Sequence, residues 1–100
     1  MHPIERKIVE EIVNTILSDT AKTITVYDGE ETVLTKSDNA KNILESIGHT
    51  DHDCLYWNSD DDTGMVMLVY GNEPEYVVAD YSSDETTARI VETITDKYEV

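Results

Sequence analysis

The sequence predicts an α+β domain: an antiparallel sheet of about five strands flanked by helices, in the order α-β-β-α-β-β-β-α. Three observations lead there. Apolar residues recur at every fourth position near the start, with Ile4, Ile8, Ile12 and Ile16 in register. The middle of the chain alternates apolar and polar residues, in runs broken by Asp28-Gly29 and by Pro74. Helical spacing then returns beyond Ser82.

Taken in order, "HPIERKIVEEIVNTILSD" is an amphipathic helix, with Val9, Val13 and Leu17 widening the isoleucine stripe. Pro3 suits its first turn, and Glu5, Glu10 and Glu11 favour its N-terminal half. Asp28-Gly29 is the turn dipeptide of a tight hairpin joining "TITVY" to "EETVL". Ser37 or Asp38 can cap a short helix, "NAKNILESIG", which buries Ile43, Leu44 and Ile47 and stops at Gly48. Strands are expected over 54–58, 64–71 and 76–81, hairpin-linked and central to the sheet, with a turn at "NEPE", where Pro74 cannot donate to a ladder. Ser82 and Glu85 have capping-box spacing and open a last helix that buries Ala88, Val91 and Ile94.

One hundred residues make a single acidic domain, 1–100, with enough apolar content for one core. A lone cysteine, Cys54, excludes an internal disulfide and suits a reducing compartment. No apolar run approaches the length of a membrane span, and the start lacks a signal-peptide core. The expected location is the cytoplasm. A formal charge of −15 repels nucleic acid and attracts basic surfaces. It reads as a solvated face, as adaptation to high salt, or as a nucleic-acid mimic whose carboxylates replace phosphates. High-salt adaptation predicts little Lys and Ile, yet five of the seven cations are Lys and nine residues are Ile. Composition leaves the other two open.

Motifs for catalysis are lacking. "HTDHDC" gathers His49, Asp51, His52, Asp53 and Cys54, but a structural zinc site needs four ligands, usually in paired motifs. "NSDDDTG" has the alternate spacing of a calcium loop at Asn58, Asp60 and Asp62. Thr63 then stands where glycine is needed, and Val69 where the bidentate glutamate belongs. No nucleophile elbow, phosphate loop or basic stripe is present, and Cys54 has no basic activator nearby in sequence. The expectation is a non-enzyme without metal or cofactor.

"GMVMLVYGNEPEYVVADY" carries a resemblance. Val66-Met67-Leu68, then five residues, then Pro74-Glu75-Tyr76 is similar in residues and spacing to the uracil-DNA glycosylase inhibitor family of uracil-DNA phages. "SIGHTDHDCL" and "EETVL" resemble that family's helix end and first strand, so the likeness spans roughly residues 30 to 81. It implies a DNA mimic. Acidic edge-strand groups would face the glycosylase's basic groove, and an apolar cavity between sheet and helix would take the residue the enzyme wedges into DNA. The resemblance places Glu30, Glu31, Thr32, Glu45, Asn72 and Glu75 among the polar contacts, and Ile43, Ile47, Tyr56, Met67 and Val69 around the pocket. Ser46 stands where the family's pocket has Val, and this chain ends in an expected helix where the family has a strand.

The expected partner is therefore uracil-DNA glycosylase or another DNA-binding protein with a basic groove. Neither nucleic acid nor membrane is expected to be bound directly. Two alternatives stand beside it: a phage anti-defence DNA mimic of the anti-CRISPR or anti-restriction kind, and an acidic adaptor domain unrelated to nucleic acid.

Overall fold

The structure, a computed structural model, describes residues 1–19 and 23–98. Its elements are α1 (Pro3–Asp19), β1 (Thr23–Tyr27), β2 (Thr32–Ser37), α2 (Ala40–Glu45), β3 (His52–Asn58), β4 (Thr63–Val69), a 3-10 turn (Pro74–Tyr76), β5 (Val78–Tyr81) and α3 (Glu85–Asp96). The α+β class and the element order are those the sequence predicts. One antiparallel sheet holds all five strands in the order β2-β1-β3-β4-β5. The centre differs from expectation: β3 is the middle strand, and β5 lies at an edge.

The period-two pattern decides the layering. Ile24 and Val26 of β1, Leu55 and Trp57 of β3, and Val66 and Leu68 of β4 are all buried. They share one core with Ile8, Val9, Ile12, Val13 and Ile16 of α1, Ile43 of α2, and Ile90, Val91 and Ile94 of α3. Helix α1 packs against both α2 and α3. The helices thus cover one face of the sheet, and the alternate residues occupy the other.

Local chemistry sets the boundaries, and several fall elsewhere than expected. At the start of α1, the Ile4 amide donates to His2 Nδ1 (3.0 Å) and the His2 amide donates back to Glu5 Oε1 (2.9 Å). This reciprocal cap leaves Pro3 at the first helical position. The first hairpin turns over four residues rather than two. Asp28 Oδ1 accepts from the amides of Glu30 and Glu31 (both 2.9 Å), and Tyr27 pairs with Thr32. An Asx turn therefore competes successfully with the tight turn. In β2, Lys36 has φ 45° at a register irregularity and donates its amide to Thr25 Oγ1 (3.0 Å). Asn39, not Ser37 or Asp38, caps α2 through the Asn42 amide. Asp84, not Ser82, caps α3, while Ser82 hydrogen-bonds the other oxygen of the Asp84 carboxylate.

That last cap is tied to the core. Trp57 is fully buried, and its indole N–H donates to Thr87 Oγ1 (2.8 Å). The Thr87 hydroxyl donates in turn to Asp84 Oδ2 (2.8 Å), which also accepts the Thr87 amide (2.9 Å). Gly64 pairs with Trp57 across the ladder, and a Cβ there would overlap both the indole nitrogen and the Thr87 hydroxyl. Only glycine lets tryptophan, threonine and strand meet at this point.

Two predictions follow from this chain of bonds. Thr87→Val leaves the buried indole N–H without an acceptor and should cost about 1–3 kcal/mol in urea unfolding, with Thr87→Ser close to the parent. An unchanged midpoint for the valine variant would show that the bond contributes nothing. The other concerns acid. Burial pushes the Asp84 carboxyl pKa up, but the bonds from Ser82 and Thr87 outweigh this and hold it below the ordinary Asp range. A folded pKa below the unfolded one gives stability that is present above the unfolded Asp pKa and lost as pH falls through the folded one. Urea midpoints followed downward from neutral pH should therefore fall less steeply for Asp84→Asn than for the parent.

Candidate functional site

The uncovered sheet face is built from the residues that alternate with the core. Cross-strand register puts Tyr27, Cys54, Met67 and Asp80 in one row, and Thr25, Tyr56 and Met65 in the next. Val69 lies opposite His52. Tyr56 is 43% exposed, and Tyr27, Cys54, Met65, Met67 and Val69 are half-buried. Partial burial pushes the Tyr56 phenol up, and the neighbouring Cys54 and Tyr27 add to it. The ring stays neutral well above physiological pH. This is an amphipathic patch of aromatic rings and methionines, residue types that adapt to a partner's surface.

Acidic turns close both ends of the patch. Asp28, Glu30 and Glu31 occupy the β1–β2 turn, and Asp60, Asp61 and Asp62 the β3–β4 turn, where the Ser59 amide donates to the Asp62 carbonyl (2.8 Å). A seven-residue strand at about 3.4 Å per residue separates such tips by about 24 Å. The Asp28 carboxyl is held below its ordinary range by the Glu31 and Glu30 amides. Among the described residues, Arg6, Lys7, Lys41, Arg89 and Lys97 lie in helices or at a helix end. Three of them are paired there, Arg6 with Glu10 (3.0 Å), Lys41 with Glu45 (4.0 Å) and Lys97 with Glu11 (2.9 Å). Among the described residues Lys36 is the one Lys or Arg in a strand.

The residues expected from sequence are only partly brought together. Tyr56, Met67 and Val69 share the uncovered face, whereas Ile43 and Ile47 are buried on the helix side, 0% and 4% exposed. The sheet runs between the two groups, so these five do not line one pocket. Glu30 and Glu31 are exposed in a turn rather than in an edge strand, and Thr32 opens the edge strand β2. Glu45 is exposed at the end of α2. Asn72 lines a cavity of about 490 Å³ beside the start of α1, and Glu75 a smaller one beside α3.

Met65, Tyr27, Cys54 and Asp80 belong to the uncovered face without having been expected there. Their signal was strand parity, since 65, 67 and 69 must point alike. Two buried acids were also unforeseen. Glu5 accepts from the His2 and Gly71 amides (2.9 and 3.1 Å), and Asp53 Oδ2 accepts from the Gly48 amide (2.9 Å) and the Tyr70 hydroxyl (2.7 Å). Burial, with Asp53 adding to it, drives the Tyr70 phenol far above its usual range. These acids fasten loops to the frame. The "HTDHDC" side chains diverge: His49 contacts the Glu45 carbonyl, His52 contacts Asp51, and Asp53 points inward. Among the described residues no group of three or more His, Cys, Asp or Glu is placed to hold a metal ion, and no helix is long and apolar enough to cross a membrane.

Face assignment predicts opposite outcomes for neighbouring substitutions. Leu68→Asp buries a charge in the core and should abolish cooperative melting. Met67→Asp, on the uncovered face, should leave a cooperative transition within about 1 kcal/mol of the parent. Equal damage from both would mean that a second layer covers this face.

The chain matches no protein-family model, no curated protein and no solved structure.

Proposed function

We propose that this protein is a non-catalytic DNA mimic that binds a DNA-binding protein with a basic groove and blocks it, acting in the cytoplasm. The supporting observation is the one-sided layout: a sheet face of aromatic rings and methionines that no described helix covers, ending in acidic turns, with most of the described cations on the helical side. Carboxylates at the tips accelerate encounter with a basic groove and fix orientation. Burying Tyr56, Met65 and Met67 then slows dissociation, as aromatic and methionine anchors do at interface centres. Uracil-DNA glycosylase is the target that the sequence resemblance implies.

One observation favours a second reading within the same class. Because the sheet separates Ile43 and Ile47 from Met67 and Val69, the deep pocket that would capture a wedging side chain lacks its helical wall. A mimic directed at a restriction or CRISPR nuclease needs the acidic surface and not that pocket.

The experiment is a uracil-excision assay with increasing amounts of the protein, run on bacterial and human-type glycosylases. Inhibition near one-to-one stoichiometry is expected. Undiminished excision by both enzymes at several-fold excess would remove the glycosylase and pass the test to the nucleases. With the responsive enzyme, Tyr56→Ala should lose about 2 kcal/mol or more of binding, mainly through faster dissociation. Glu31→Lys and Asp61→Lys should instead slow association, most clearly at low salt. Surface plasmon resonance separates the rates, and parent-like kinetics for Tyr56→Ala would exclude the sheet face as the contact.

A further inference from the structure

A crevice of about 130 Å³ lies between the 3-10 turn, β5 and α3, lined by Glu75, Tyr76, Val78, Tyr81, Val91 and Thr95. It is smaller than the ~300–1,000 Å³ usual for small-molecule sites and has the scale of one side chain. Val78 and Val91 give it an apolar wall, and the one hydroxyl that α3 contributes is engaged, since Thr95 Oγ1 donates to the Val91 carbonyl (2.8 Å). Two tyrosines complete the lining. Tyr76 is 61% exposed, the most exposed large hydrophobic side chain of the protein among the described residues. Tyr81 donates its hydroxyl to Glu92 Oε2 (3.2 Å).

Carboxylates stand around it. Glu75 is in the lining, and Glu92 and Asp96 of α3 lie close enough to Tyr81 for their negative charge to oppose ionisation of its phenol. None of these three acids takes part in an ion pair among the described residues. A slot with an apolar wall, two aromatic rings and carboxylates outside any ion pair complements a long aliphatic stem ending in a cation. We infer that this crevice receives a lysine or arginine side chain of the basic partner. The inference rests on the proposal that the partner is basic, and it adds a second anchor at the β5 edge, apart from the Tyr56 patch. The stem would lie against Val78 and Val91, with the cation held by the tyrosine rings and the acids.

The test avoids the partner altogether. Isotope-labelled protein is titrated with acetyl-Gly-Lys-Gly-amide and, separately, with the same tripeptide carrying norleucine, and backbone and methyl NMR signals are followed. Saturable shifts centred on Val78, Val91 and Thr95 with the lysine peptide alone are expected. Tyr76→Ala, at an exposed position, should weaken that binding by about threefold, the scale of one exposed cation–π contact. Thr95→Arg should abolish it by filling the crevice with a tethered cation, with melting curves confirming that both variants are folded. Equal shifts with norleucine, or no shifts at these residues, would overturn the inference. Shifts confined to Glu30, Glu31 and Asp61 would also overturn it, while leaving the DNA-mimic proposal standing. Conversely, crevice binding alongside undiminished activity of every enzyme tried would retain the crevice and reject the mimic.

Discussion

A buried tryptophan needs somewhere to send its indole proton, and this architecture is arranged around the answer. Trp57 stands on the central strand, and its acceptor is the Thr87 hydroxyl in the first turn of α3. That hydroxyl is fixed by Asp84, whose main task is to cap the same helix. Helix capping, tryptophan burial and helix docking are therefore one network, and an unpaired member inside the core would be costly. Gly64 is its silent participant, because any side chain there would separate strand from helix.

Once α3 is committed to that face, the rest of the layering follows. Helix α1 fills the space beside it, α2 follows α1, and the core closes on one side of a single sheet. Nothing is left in the described chain to cover the opposite side. A sheet with one wet face usually shows polar residues there. Here the central rows carry Tyr27, Cys54, Tyr56, Met65 and Met67 beside Thr25 and Asp80, with further carboxylates gathered at the turns. This departure from ordinary surface composition sets the face apart from the helical side, where acids and cations are interleaved.

Much of the frame was legible in the sequence because periodicity reports burial directly. Ile8, Ile12 and Ile16 of α1 and the alternation in "MVMLV" follow that period, while Ile4, at the exposed start of the helix, is 38% exposed. Caps and turns were less legible, since neighbouring polar residues compete for the same amides. Asn39 displaces Ser37 and Asp38, and the Asp28 side chain lengthens a turn that Asp-Gly favours as short. The site was split for a different reason. A family likeness can match Ile43 and Met67 to one pocket, but strand parity puts Met67 on the face opposite Leu68, and Leu68 is core. Long-range partners such as Glu5 with Gly71, or Asp53 with Tyr70, leave no local trace.

The bulge at Lys36 has a consequence for how such a molecule survives in a crowded cell. β2 is an outer strand next to an apolar face, an arrangement that invites copies to join edge to edge into a continuous sheet. A lysine with positive φ at a register irregularity bends that border out of the flat geometry that growth requires, and its charge discourages a second strand from docking. Self-repulsion at −15 acts in the same direction over longer range. The sticky surface is thereby kept from its own kind and left free for the basic partner proposed above.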